Sequence, residues 1–332
     1  MPTRIYRSLG RCRNTGRMWG VLCVALFFSA VIPAPGFQDT TPPAGEFRIS
    51  TDVVMVLLDV SVKDPRGGYV SGLSKDDFQV YENGALQKLT VFSSADVPVA
   101  VGLVMDESGS MHNRRPHTIT AGLVFIGASN PQDQVFVVNF NDTVRSGLPS
   151  HIPFSGDLNI LHAALSRAKA EGQTALYDAI AFALHHLESA QRDKKTLLVV
   201  SDGGDNRSRR TLPELMRLIQ ESQVTIYTIG IYDADDADRN PQVLKRISYA
   251  SGGECFLPQT VEEIAPICRK IALDIRNRYT IGYVPDRTAQ KGGVRKIRVA
   301  ISAPDHRNSI VRTRAGYSLP DELVQPPGTH SK

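Results

Sequence analysis

The chain has 332 residues, 42% hydrophobic and 22% charged, which excludes a disordered or low-complexity protein and leaves room for two domains. The formal charge of +4 belongs to residues 1–36, which carry five arginines and no acid; setting those five aside from 38 basic residues leaves 33 against 34 acids. The near-neutral remainder gives no electrostatic footprint for nucleic acid.

Residues 1–36 predict a secretory signal peptide. A basic start leads into "MWGVLCVALFFSAVI", which is short of the roughly 20 residues of a membrane-crossing helix, and small residues follow, with Ala34 and Gly36 at cleavage positions. Export to the periplasm, the cell surface or the medium is expected, with no membrane span after cleavage; an uncleaved anchor is the alternative. Residues 37–46 read as a polar, proline-bearing linker.

The N-terminal β segment covers 47–95. It holds "VVMVLLDVSVKD" and "DFQVYENGALQKLTVF", whose Asn83-Gly84 is a hairpin signal. Over 97–276 the texture becomes aliphatic runs alternating with helical patterns. The strands are "VAVGLVMD", "QVFVVNF", "KTLLVVSD", "VTIYTIGIY" and "GECFL", with a hairpin at Asn141-Asp142. Unbroken aliphatic strands between helices predict a doubly wound, mostly parallel α/β sheet. A C-terminal β segment, 278–319, follows with "RYTIGYVP", "RKIRVAIS" and "VRTRAGYSL", and residues 320–332 read as a disordered tail. Neither β segment buries enough surface to stand alone. Together they approach the size of a small β-sandwich, with the α/β domain inserted between its parts.

In an open α/β sheet ligands bind at the carboxyl ends of the strands. The first α/β strand ends at Asp106, and the loop after it brings Ser108 and Ser110. "VVSDGGDN" places Asp202 on the same edge, and "GQTALYDA" puts Thr174 in a loop before a helix. Three hydroxyls and two carboxylates are hard oxygen donors of low total charge, which suit Mg²⁺ or Mn²⁺. An ion held this way stays electron-poor and favours an outside anion, most simply a carboxylate from a protein partner.

Asp106-x-Ser108-x-Ser110, then Thr174, then Asp202-Gly203 resemble the metal-ion-dependent adhesion site (MIDAS) of von Willebrand factor type A domains. "GLSKDDFQVYENGALQKLTVF", "SDGGDNRS" and "RYTIGYVP…RAGYS" resemble segments of a bacterial family of exported proteins with a related domain. The resemblance implies a Rossmann-like fold over 97–276 and a non-enzymatic binding module. It implies that Ser108 and Ser110 ligate the metal directly, Thr174 directly or through water, and Asp106 and Asp202 through water or directly. Glu107 departs from the pattern as an acid that adds negative charge beside the site. A metal-assisted hydrolase and a scaffold with a purely structural metal remain as alternatives. The hydrolase needs a base near the metal, but no histidine falls in the three metal-bearing loops, and His112, just past Met111, is the nearest.

The acids of "YDADDADRN", 232–240, fail the EF-hand spacing and read as a solvated loop. Cys255 and Cys268 either form a disulfide or stand as small buried thiols. Twelve Lys and Arg against three acids in 269–315 read as charges on exposed strand faces.

Overall fold

The computed structural model describes residues 55–167, 169–232, 239–285 and 293–318. The expected signal peptide, the linker, residues 47–54, the acids at 233–238 and the C-terminal tail lie outside them. Among the described residues no helix is long and apolar enough to cross a membrane.

The chain opens with β1 (Val56–Lys63), β2 (Phe78–Glu82), β3 (Ala85–Gln87) and β4 (Leu89–Ser93). The β2–β3 turn is the Asn83-Gly84 pair, with φ of 49° and 89°, the doubly left-handed geometry of a tight hairpin. The α/β part follows: β5 (Ala100–Asp106), α1 (Arg115–Gly127), β6 (Gln134–Phe140), β7 (Val144–Ser146), α2 (Leu158–Ser166), α3 (Leu176–Glu188), β8 (Lys195–Ser201), α4 (Leu212–Glu221), β9 (Thr225–Gly230), α5 (Pro241–Ser251), β10 (Cys255–Phe256) and α6 (Ile264–Arg276). The chain then returns to β11 (Arg278–Tyr283), β12 (Arg295–Ile301), β13 (Ile310–Arg312) and β14 (Gly316–Tyr317).

The central sheet has the order β10-β9-β8-β5-β6-β7, parallel except for the β6–β7 hairpin at one edge. Every residue of β5 and β9 is buried, because both faces are covered. The helices form two packed groups, α6–α1–α2 and α3–α4–α5, flanking that sheet. On α6, Ile264, Ile271 and Ile275 are buried, the core-facing stripe that their spacing predicts.

The two β segments close on each other as two four-stranded sheets, β13-β1-β11-β4 and β14-β12-β2-β3. β1 and β11 run antiparallel from Val56↔Tyr283 to Ser61↔Arg278. Leu58, Val60, Phe78, Val80, Tyr279, Ile281, Tyr283 and Tyr317 fill the space between the sheets. The run "VRTRAGYSL", expected as one strand, is two: β13 joins β1, and β14 crosses to β12. The basic excess of 269–315 is partly internal. Arg278, Arg295 and Arg314 are buried, and Arg295 Nη1 donates to Glu82 at 2.7 Å inside the sandwich.

A buried ionic junction joins the sandwich to the α/β domain. Asp274, near the end of α6, accepts from Ser61 Oγ at 2.7 Å and pairs with Lys63 of β1 at 2.9 Å and Arg278 of β11 at 3.1 Å. The Tyr227 hydroxyl of β9 also donates to it.

Cys255 and Cys268 are free thiols, the second fully buried with its thiol pushed up to about 12 by that burial. Peptide mapping without reductant should therefore find two thiols, and Cys268 should alkylate only after denaturation. A disulfide-linked peptide pair would contradict this packing.

Candidate functional site

β5 and β8 lie side by side at the centre of the sheet, where chain order reverses, and their carboxyl ends define the rim. Asp106 closes β5 and is fully buried. Its Oδ1 accepts the backbone N–H of Ser108 at 2.9 Å, and its Oδ2 accepts the hydroxyl of Ser201, the last residue of β8, at 2.6 Å. Ser110 Oγ lies 3.1 Å from Ser108 Oγ and donates to Asp202 Oδ2 at 2.6 Å. The backbone N–H of Gly204 donates to Asp202 Oδ1 at 2.9 Å. Four of the five predicted residues thus form one hydrogen-bonded chain across the two strand ends.

Thr174 is buried on the neighbouring loop and joins this rim through its backbone. Its N–H donates to Asn206 Oδ1 at 2.8 Å, and its carbonyl accepts from the N–H groups of Asn206 and Arg207. Among the described residues no hydrogen bond links its hydroxyl to the Asp–Ser chain. The third loop is tied in through Gly109 N–H, which donates to Gly172 O at 3.0 Å. Gly203 has a φ of 86°, and a Cβ there would meet the Asn240 carbonyl oxygen at 2.4 Å, so only glycine lets the chain turn directly behind Asp202.

The carboxyl of Asp106 is pushed up to about 7, first by burial and then by the charge of Asp202, against the hydrogen bonds from Ser108 and Ser201. Positive charge placed between the two carboxylates would relieve both effects. The donors are all oxygen, and among the described residues no group of three or more His, Cys, Asp or Glu side chains gathers at one point. A cation held here would rely on hydroxyls as well as carboxylates, a donor set suited to a hard Mg²⁺-type ion and not to zinc.

Residues 101–204 match the family model of the von Willebrand factor type A domain, the span that runs from β5 to the loop after β8. The chain carries a von Willebrand factor type A domain. No relative among curated proteins matches the chain. Among solved structures it is similar to a von Willebrand factor type A protein from Catenulispora acidiphila, at 16% identity over 80% of this chain and 72% of that one, TM-score 0.48. It is also similar to the vWF domain of the type V pili tip protein Mfa5 from Porphyromonas gingivalis, at 15% identity over 55% of this chain and 97% of that one, TM-score 0.46. An aerotolerance-related membrane protein from Bacteroides fragilis matches at 14% identity over 53% and 98%, TM-score 0.44.

Several residues of the type A rim escape the motif. Ser201 caps Asp106, and Asn206 fixes Thr174. Asp205 accepts from the N–H of Tyr177 at 2.9 Å and so holds the start of α3. Glu107, expected to add charge beside the site, is buried, with its Oε2 held by Arg115 Nε at 2.9 Å. Its charge goes to that ion pair.

Proposed function

We propose that this type A domain is a non-enzymatic protein-binding module of an exported protein. In this reading Asp106, Ser108, Ser110, Thr174 and Asp202 hold Mg²⁺, or Mn²⁺, with one position left for a carboxylate of the partner. The observation that carries it is the pair of buried carboxylates joined through Ser108 and Ser110 at the switch point of the sheet. When bound, the ion supplies a Lewis-acidic position for an outside anion. The chain's own residues set its strength: hydroxyls add no charge, and Ser201 and Gly204 spend part of each carboxylate's capacity on hydrogen bonds.

Titration calorimetry of the purified chain with MgCl₂ tests this. Wild type should give a saturable isotherm, and Ser108→Ala, which removes one hydroxyl, should lose it while melting as wild type does. An isotherm unchanged in Ser108→Ala refutes the assignment. So does the absence of Mg²⁺ and Mn²⁺ binding by wild type.

A further inference from the structure

Beside the rim lies a cleft of about 400 Å³ between the β6–β7 hairpin and the loop that follows α2. Glu107, the residue between Asp106 and Ser108, lines it, so cleft and rim share a wall. Arg145, Arg167 and Lys169 also line it and are exposed. Among the described residues none of the three is in an ion pair. Glu171 is the one further acid on the wall, since the charge of Glu107 is met by Arg115. The cleft therefore carries a positive excess.

A second observation is independent of charge. Asn139 of β6 lines the same cleft and is 8% exposed. Its Nδ2 donates to Ala164 O at 2.9 Å, but its Oδ1 is buried without a hydrogen-bond partner. A buried acceptor left unmet is costly, and a ligand N–H recovers that cost once the Asn139 side chain turns its Oδ1 into the cleft. A ligand that offers an N–H donor and several anions together is a peptide with acidic side chains. A free anion offers only the second.

We propose that this cleft is a second contact site for the partner: an acidic peptide segment whose one carboxylate completes the metal also seats a neighbouring acid among Arg145, Arg167 and Lys169 and donates a backbone N–H to Asn139 Oδ1. This deepens the reading above and rests on it for the first carboxylate. The cleft turns a single-point capture into recognition of a sequence, because an isolated Asp or Glu meets the rim alone. Two weak contacts on one segment also multiply, since the second forms within an already tethered chain.

The probe is a hexaglutamate peptide titrated into ¹⁵N-labelled full chain with MgCl₂, followed by NMR. The Asn139 side-chain amide cross-peaks should move on addition. Arg145→Glu with Arg167→Glu should weaken the peptide about tenfold, while the Mg²⁺ isotherm stays as in wild type. Lys296→Glu with Arg298→Glu, the same charge change on β12 of the sandwich, should leave the affinity unchanged. Succinate, a dicarboxylate without an N–H, should leave the Asn139 peaks in place. The proposal is overturned if the Asn139 peaks stay still with peptide, or if both charge-reversal pairs weaken binding equally. Failure of the metal reading looks different: chelator would then change nothing, and the cleft variants would still weaken the peptide.

Discussion

Asp202→Asn is expected to make the metal-free protein more stable than wild type and nearly blind to Mg²⁺. Both rim carboxylates are buried, and the charge of Asp202 is one of the two causes that lift Asp106 to about 7. A carboxyl raised in the folded state costs stability once ionised, and that cost grows as pH rises from about 4 through the folded value. Asparagine keeps the size of Asp202 and an oxygen for the Gly204 N–H, and gives up the charge. In chelator at about pH 8, the variant should melt higher by about 2–4 °C for each kcal/mol recovered. Wild type should gain from Mg²⁺ by mass action, about 2.7 kcal/mol at a hundredfold excess over Kd. The variant should lose about 10–100-fold in metal affinity and with it most of that gain. Melting curves of both proteins, in chelator and in MgCl₂, decide the matter. Equal melting in chelator together with an equal response to Mg²⁺ would sink the metal site.

The second large effect is at the ionic junction. Asp274→Ala should destabilise the protein by about 3–5 kcal/mol, since it leaves Arg278 buried without its carboxylate and Lys63 with Glu254 alone. The melting temperature should fall on the order of 10 °C. Burial works against the charge of Asp274, but Arg278, Lys63 and the Tyr227 hydroxyl outweigh it and hold the carboxyl well below the usual range. A depressed carboxyl contributes stability that is fully present above the unfolded value, about pH 4, and is lost as pH falls toward the folded one. The gap between wild type and Asp274→Asn should thus narrow below about pH 4. A variant that melts within a degree or so of wild type at neutral pH would show that the junction carries little of the fold.

The α/β core was legible because β5, β6, β8 and β9 are covered on both faces, and such strands must be written as unbroken aliphatic runs. Asn83-Gly84 was legible because few residue pairs accept two left-handed conformations in a row. The partition of the last β stretch was not, since a strand that crosses between sheets keeps its alternation on either side. At the site, Asp106, Ser108, Ser110 and Asp202 could be placed because strand ends bring them to one edge. Ser201 and Asn206 act through side-chain bonds to partners 95 and 32 residues away, and no local spacing encodes such contacts. Asn139 is the instructive omission: a polar residue inside the aliphatic run "QVFVVNF" is itself a signal, one that acquires meaning only beside the cleft.

The last helix passes into the sandwich with almost no slack. Asn277 alone separates α6 from β11, and β11 is hydrogen-bonded to β1 on one side and β4 on the other. Arg276 adds a bond to Asp96 at 3.3 Å and another to Asp133. If α6 travelled one turn along its axis, about 5.4 Å, it would drag β11 by more than one residue. A slip of one residue turns Tyr279, Ile281 and Tyr283 out of the sandwich core and their neighbours in. The sandwich thus acts as a brake on any piston stroke of α6.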